Sequence, residues 1–341
     1  MLAVILHEQL GDHAKADDTD VLVSRDAVGC ALRELGYDVA ALALGLDLAA
    51  AASSLERLQP AVVFNLVDTV DGTGRLNHLA PLLLERLRLP YTGVPMEGTF
   101  VTTDKLLAKT LLSASGLPTP AWASDTQVAV TTPPFPPPYI VKPLHEDASV
   151  GLDDASVVAD LDAVRARMRR LHEETGGRGF VEAFIDGREL NVSLLEEADG
   201  VRLLPPAEIR FVDFPEGKPR IVGYAAKWTP ATFEYENTQR TFDLQDLGDG
   251  VERRLREVCL RCWDLFGLRG YARVDVRLDR DGVPWILEVN SNPCISPDAG
   301  FPAAALRAGI PYTELVRRIV DAALRRHGES TPCSSPLSPT P

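Results

Sequence analysis

Lysine is scarce in this chain. It stands only at positions 15, 105, 109, 142, 218 and 227, although lysine and arginine together number 35. Against 49 acidic residues the formal net charge is −14, and no basic patch is left that could neutralise a nucleic-acid backbone. Long apolar runs are missing too. None approaches the length of a membrane span, and the run 2–6 is too short for the core of a signal peptide. The expectation is a cytoplasmic protein with neither membrane nor nucleic acid as partner. Cysteines are few and odd in number: Cys30, Cys259, Cys262, Cys294 and Cys333. Cys259 and Cys262 form a CxxC inside a helical pattern with no second pair, which favours a core role over zinc. No GxGxxG follows the first strand, so a dinucleotide site is not indicated. What is present is an apolar fraction of 45%, a charged fraction of 25% and 341 residues, enough for two or three domains.

The most informative stretch runs from Gly270 to Gly300, GYARVDVRLDRDGVPWILEVNSNPCISPDAG. It reads as two strands, 273–278 and 283–290, around an Asp-Arg-Asp-Gly turn. Alternation puts Val274, Val276 and Leu278 on one face with Val283, Trp285, Leu287 and Val289 opposite, and turns Arg273, Asp275, Glu288 and Asn290 the other way. If Leu278 pairs with Val283, Arg273 faces Glu288 and Asp275 lies diagonal to it, about 7–8 Å away at the backbone. Two carboxylates and an amide converging from neighbouring strands make an oxygen-rich site suited to Mg²⁺, which takes few protein carboxylates and completes its shell with phosphate and water. On alternation alone, a half-buried hairpin with a solvated polar face is the better reading. The polar ending Glu-Val-Asn-Ser-Asn-Pro shifts the balance toward a site.

Upstream, an apolar run at 2–6 fits a buried parallel strand. A polar loop over 7–20 crowds Asp17, Asp18 and Asp20, and a helix is expected over 26–36. Strands at 38–44 and 61–67 alternate with helices at 49–58 and 76–87, the rhythm of an open parallel sheet. A helix over 102–115 follows, then a proline-rich connection at 131–138. A strand at 139–142 and a long helix over 161–175 lead to strands 180–185 and 189–196, read as a hairpin around Asp186-Gly187. Helices over 251–266 and 312–326 flank the informative stretch. The Ser/Pro-rich end from 330 reads as disordered.

An ammonium on a flexible stem is a point-charge partner for phosphate oxygens. Lys142 ends a strand, Lys105 starts a helix and Lys227 follows the run 221–226, so each stands where ligands bind; any one alone is better read as a solvated surface lysine. The loop 145–151, with Ser149 and Gly151, could bring backbone N–H groups over phosphates, and equally fits an ordinary surface loop. Glu182 and Glu189 flank a turn and could accept from an adenine amino group and from ribose hydroxyls; as isolated glutamates they read as surface charges.

Taken together, DKLLAKTLLSASGLPTP, YIVKP followed by SVG, FVEAFIDGREL, YAAKW and RVD…LEVNSNP stand in the order and spacing of a known family. FNLVDTVDGTGRLNHLAPLLLERLRLPYTG and ALRAGIPYTELVRRIVDAAL extend the match over most of the chain. By these motifs the sequence resembles the D-alanine–D-alanine ligases, a family of ATP-grasp ligases. The resemblance implies an α/β (α+β) ATP-grasp fold in three domains: an N-terminal α/β domain over 1–96, a central domain over 97–183 and a C-terminal domain over 184–328, with ATP clamped between the last two and a tail at 329–341. It implies that Lys105 and Lys142 bind ATP phosphates, that Glu182 and the backbone at Ala183 and Ile185 hold adenine, that Glu189 holds the ribose and that Lys227 reaches the γ-phosphate. Asp275, Glu288 and Asn290 would bind two Mg²⁺ ions, with Mn²⁺ able to replace them, and Glu288 would bridge the pair. Arg273, Lys227 and Ser149 would be the catalytic groups. The implied reaction joins a small-molecule carboxylate to an amine through an acyl phosphate, and the implied assembly is a homodimer. The physics agrees, since phosphorylation gives a carboxylate a leaving group, and cations spread the charge of the transfer.

The amino-acid end departs from the family pattern. Its glutamate would fall near Asp17, its loop serine at Ala148, its tyrosine after the third lysine at Trp228, and its histidine at Val67 or Asp68. The oxyanion-site glycine falls at Cys294, and the serine for the second carboxylate at Ala299, after Asp298. These departures predict a ligase whose amino-acid substrate is not D-alanine, with an acceptor neutral or cationic at that end, or an amine within the same molecule as the carboxylate. A D-alanine–D-alanine ligase with an unusual pocket, or a nucleotide-binding protein without catalysis, are the alternatives; the full metal set speaks against the last.

Overall fold

A computed structural model describes residues 1–11, 16–244 and 247–330. Of the tail expected over 329–341, residues 329 and 330 end the last helix, and the remainder, with Cys333, lies outside these residues. β1 (Leu2–Glu8), β2 (Asp38–Leu44) and β3 (Val62–Asn65) form a parallel sheet in the order β2-β1-β3, interleaved with helices α1 (Ala16–Glu34) and α2 (Leu48–Leu58). All but the first residue of β1 is buried, as an apolar strand between helical layers must be. Helix α1 begins well before the expected helix, so Asp20 belongs to a helix and not to a loop. Its buried positions Val21, Val28, Ala31 and Leu32 keep helical spacing, but the aspartates before them hid the pattern.

After α3 (Leu79–Arg86) the single helix expected over 102–115 is two, α4 (Met96–Thr103) and α5 (Lys105–Ala114). Asp104 leaves helical geometry between them, and its carboxylate accepts from the N–H groups of Leu106 (3.1 Å) and Leu107 (3.0 Å). The break sets Lys105 at the head of α5. A four-stranded antiparallel sheet follows, built from β4 (Trp122–Ser124), β5 (Tyr139–Pro143), β6 (Val157–Val158) and β7 (Gly179–Ala183) in the order β4-β7-β5-β6. The helix α6 (Asp125–Val130) and the long helix α7 (Leu161–Thr175) pack on it through Val128, Val164 and Leu171.

The largest sheet is also antiparallel. It holds β8 (Arg188–Glu197), β9 (Gly200–Leu203), β10 (Ala207–Phe211), β11 (Thr238–Thr241), β12 (Tyr271–Leu278) and β13 (Pro284–Asn290), in the order β11-β10-β8-β12-β13 with β9 on the other half of β8. Short helices α8 (Tyr224–Trp228) and α9 (Phe233–Asn237) precede β11. Helix α10 (Asp249–Leu265) covers the sheet and buries Cys259 and Cys262 in its core, as expected for that CxxC. Helices α11 (Gly300–Arg307) and α12 (Tyr312–Ser330) return to the first sheet. There one core joins Ile5 and Phe64 to Tyr271, Phe301 and Ile319.

Two further expectations are corrected. The strands around Asp186-Gly187 are not a hairpin: β7 pairs with β4 and β5, and β8 with β9, β10 and β12, so the turn crosses from one sheet to another. Alternation shows that a strand exists, not which edge it joins. Gly187 is required there, because a Cβ would lie 1.9 Å from the Leu278 carbonyl. In the β12–β13 hairpin Leu278 faces Pro284, not Val283, and Asp275 faces Glu288 directly while Arg273 faces Asn290. A bulge at Leu287 shifts the register, so Ile286 enters the core and Leu287 turns to the cleft. The Asp279 carboxylate holds the turn open by accepting from Asp281 N and Val283 N (both 2.9 Å) and Trp285 Nε1 (2.7 Å).

Candidate active site

A cleft of about 850 Å³ opens between the three sheets. Every residue expected to bind nucleotide or metal lines it: Lys105, Lys142, Glu182, Ala183, Ile185, Glu189, Lys227, Asp275, Glu288 and Asn290, with Arg273 and Ser149. Its N-terminal wall adds Glu8, Asp20 and Asp68.

The centre is electrostatic. Burial alone would raise the Glu288 pKa, but Lys105, Lys142, Lys227 and Arg273 outweigh it and hold the carboxyl at about 2. Asp275, 6% exposed, is pushed up by burial despite its bidentate pair with Arg273, Nε to Oδ1 at 2.8 Å and Nη2 to Oδ2 at 2.9 Å. Asn191 Nδ2 also donates to Asp275 Oδ1, at 2.7 Å. Desolvation in the cleft and repulsion from Arg273 lower the Lys227 pKa, although the side chain still meets solvent. Lys105, 7% exposed, donates to the Glu146 carbonyl (2.8 Å) and Asp147 Oδ1 (2.9 Å); burial lowers its pKa, but Asp147 and Glu288 reverse this and leave it raised. Among the described residues no three His, Cys, Asp or Glu side chains gather into a metal cage. The two carboxylates and amide of Asp275, Glu288 and Asn290 still fit Mg²⁺, a hard cation that takes one or two protein carboxylates and keeps its other positions for phosphate and water.

Glu182 is placed differently from the expectation of an adenine ligand. Its carboxylate, 1% exposed, lies 2.6 Å from Lys109 Nζ and 2.5 Å from Lys142 Nζ, so a base amino group would compete with two ammonium groups. The Ala183 N–H is engaged by the Ala121 carbonyl at 2.8 Å. Glu189 accepts from Arg277.

The loop 145–151 lies across the cleft. Ser149 Oγ donates to the Val222 carbonyl (2.7 Å), and Trp228 Nε1 donates to the Ala148 carbonyl (2.9 Å). Ala148 and Ser149 both have positive φ, at 54° and 64°. The loop and the segment carrying Lys227 are thereby joined.

The side chain of Asp17 lies outside the described residues; at the far end of the cleft stands Asp20. Asp20 Oδ2 accepts from Cys294 Sγ at 2.9 Å and Oδ1 from Ser296 Oγ at 3.0 Å, with Ser24 Oγ 2.9 Å from Ser296. Burial and then Asp20 push the Cys294 thiol up to about 12. Desolvation and the charge of Glu8 also raise Asp68, which accepts from Asn292 Nδ2 at 2.8 Å. Asp298 does not cap α11: Ala299 is the N-cap, without a side-chain bond. Arg240 Nη2 donates to the Asp298 carbonyl at 2.7 Å. Sequence reading missed Asp20, Arg240, Lys109 and Arg277. Only Arg277 left a signal, since alternation sets it on the face of Arg273 and Asp275.

Fold and cleft together define an ATP-grasp protein, and comparison with known proteins agrees. The crystal structure of D-alanine–D-alanine ligase from Bacillus anthracis complexed with ATP superposes with a TM-score of 0.73 at 20% identity, over 97% of this chain and 100% of that one. The family model of the D-ala D-ala ligase C-terminus matches residues 112–321. The D-alanine–D-alanine ligase of Gluconobacter oxydans is 34% identical over 89% of this chain and 94% of its own, and an uncharacterized protein of Sinorhizobium fredii is 32% identical over 89% and 88%. The chain belongs to the D-alanine–D-alanine ligase family and is an ATP-dependent carbon–nitrogen ligase.

Proposed function

We propose that the protein joins the carboxylate of an amino-acid-type substrate to an amine through an acyl phosphate, with ADP and phosphate released. The observation that carries this reading is the convergence of Lys105, Lys142, Lys227 and Arg273 on the facing carboxylates Asp275 and Glu288 in one cleft. Nucleotide binding alone does not need that set.

On this reading Lys105 and Lys142 grip phosphate oxygens, Lys227 reaches the γ-phosphate, adenine lies against the backbone at Ala183 and Ile185, and Glu189 holds the ribose. Glu182 acts by holding Lys142 and Lys109. Asp275, Glu288 and Asn290 would hold Mg²⁺, which when bound supplies charge neutralisation for phosphoryl transfer. Arg273 and Lys227 stabilise the negative charge that gathers on the substrate carboxylate's oxygens as it is phosphorylated and then attacked by the amine. The loop 145–151, held through Ser149 and Trp228, keeps water from the acyl phosphate.

The acids Glu8, Asp20 and Asp68 suit the ammonium group of the first substrate. Ala148, Trp228, Cys294 and Ala299 stand where the family pattern has other residues, which supports an amino acid other than D-alanine. One observation favours an acceptor that carries a carboxylate, as D-alanine does, and so keeps the ligation of two D-alanines as the second reading. Ala299 offers no side-chain donor, but the Arg240 guanidinium, beside Gly300 at the head of α11, can pair an acceptor carboxylate. The prediction of a neutral or cationic acceptor overlooked this arginine.

The deciding experiment incubates the protein with ATP, Mg²⁺ and either D-alanine alone or a panel of amino acids and amines, and reads ADP release with new masses. Efficient D-alanyl-D-alanine formation establishes the second reading. An amide formed from other members of the panel, with D-alanine inert, establishes the first. No nucleotide turnover with any member overturns both.

A further inference from the structure

Arg277 stands two residues beyond Asp275 on the polar face of β12 and is 3% exposed. Its direct cross-strand partner on β8 is Glu189. Nε and Nη2 both donate to the same carboxylate oxygen, Glu189 Oε2, at 3.2 and 2.8 Å. Nη1 donates to the Ile185 carbonyl at 3.0 Å, and Nη2 also reaches the Arg220 carbonyl. The guanidinium carbon lies 5.1 Å from the Phe184 ring centroid and 6.0 Å from that of Phe211. A cation this deeply buried must be paired and hydrogen-bonded, and three of its partners here, Phe184, Ile185 and Glu189, line the cleft.

We infer that Arg277 is a positioning residue for nucleotide selection: it anchors Glu189 by Oε2 so that Oε1 is presented to the ribose hydroxyls, and it fixes the Ile185 segment against which the base lies. This rests on the reading that Glu189 holds the ribose. Three features support it. A planar fork locks a carboxylate's rotation, which a lysine point charge cannot do. The pair is neutral, so Glu189 does not repel the nucleotide's phosphates. Arg277 also ties β8, β12, the turn from β7 into β8 and the segment at Arg220 into one unit, so the ribose acid and the base-contacting backbone keep a constant spacing.

The test is calorimetric titration of the full chain with ADP, 2′-deoxy-ADP and 3′-deoxy-ADP in Mg²⁺, which needs no knowledge of the amino substrates. Wild-type protein is expected to bind ADP about tenfold more tightly than at least one deoxy analogue, the value of roughly one well-made hydrogen bond. Arg277→Met should reduce that preference to less than about threefold, and Arg277→Lys should fall between; Glu189→Ala should abolish it. A merely structural role for Arg277 would lower the melting temperature and leave the preference intact. Should Arg277→Met fail to fold, Arg277→Lys decides alone. If Glu189→Ala loses the preference while the Arg277 variants keep it, the inference is wrong and the ribose reading stands. If wild type shows no preference, or Glu189→Ala retains it, the ribose reading and the inference fall together.

Discussion

Lys142 and Glu182, diagonal neighbours on β5 and β7, meet at 2.5 Å, and a second lysine, Lys109, lies 2.6 Å from the other oxygen of the same carboxylate. One buried carboxylate shared by two ammonium groups leaves the trio with one positive charge to offer a phosphate. Lys142→Met removes that charge. Nucleotide binding is expected to weaken by about 1.5–3 kcal/mol, the scale of a charge-assisted hydrogen bond. An unchanged dissociation constant by titration would reduce Lys142 to a structural partner of Glu182.

Glu182→Gln leaves the buried Lys109 and the half-buried Lys142 without a counter-charge, and should cost about 3–5 kcal/mol near neutral pH. Burial raises the Glu182 pKa, but Lys109 and then Lys142 outweigh it, so the folded value lies below the ordinary 4.5. A depressed folded pKa contributes stability that is fully present above the unfolded value and is lost as pH falls through the folded one. The gap between wild type and Glu182→Gln should therefore be constant above about pH 5 and shrink below 4.5. Denaturant melts at several pH values read it directly; a gap that widens in acid contradicts the assignment.

Glu288→Ala removes a carboxylate that four cations hold ionised. ADP release should fall by orders of magnitude while the melting curve keeps its cooperative form, because Glu288 faces the cleft and the core of that strand is carried by Ile286 and Val289. Near-normal turnover in the folded variant would remove Glu288 from the site.

One indole N–H, from Trp228 to Ala148, joins the loop 145–151 to the segment carrying Lys227, beside the bond from Ser149 to Val222. Trp228→Phe keeps an aromatic ring and loses that donor, worth about 1 kcal/mol or roughly fivefold in loop opening. Limited proteolysis without nucleotide should cut the loop correspondingly faster in the variant, and a non-hydrolysable ATP analogue should protect it. Equal cutting of both proteins would show that the bond does not hold the loop.

Burial and Asp20 keep the Cys294 thiol protonated up to about pH 12. At pH 8 iodoacetamide should leave it unmodified while the exposed Cys30 reacts. Peptide mass mapping over time gives the two rates, and comparable rates would contradict the Asp20–Cys294 contact.

Much of the cleft was legible because β-strand alternation is local. A face shared by Arg273, Asp275, Glu288 and Asn290 follows from period two, and strand ends at lysines follow from proline and helix caps. What was not legible was partnership. The bulge at Leu287 changed which residues face each other, since a register depends on the turn and on both strands at once. The pairing of Glu182 with two lysines was hidden because Lys109 reads as an ordinary helix residue until α5 is laid against β7.

The amino-acid sequence by itself determined the alternation of strands and helices, the scarcity of lysine outside the site, the order of the site motifs and the family they resemble. Those are properties of neighbouring residues and of composition. Only the tertiary structure decided that β7 and β8 belong to different sheets, that Asp20 reaches Cys294 and Ser296, and that Arg277 grips Glu189 and Ile185. Each joins residues far apart in sequence or on opposite sides of a crossing. Such contacts are selected by the burial of a shared core and by the need of every buried charge for a partner, which no local pattern encodes.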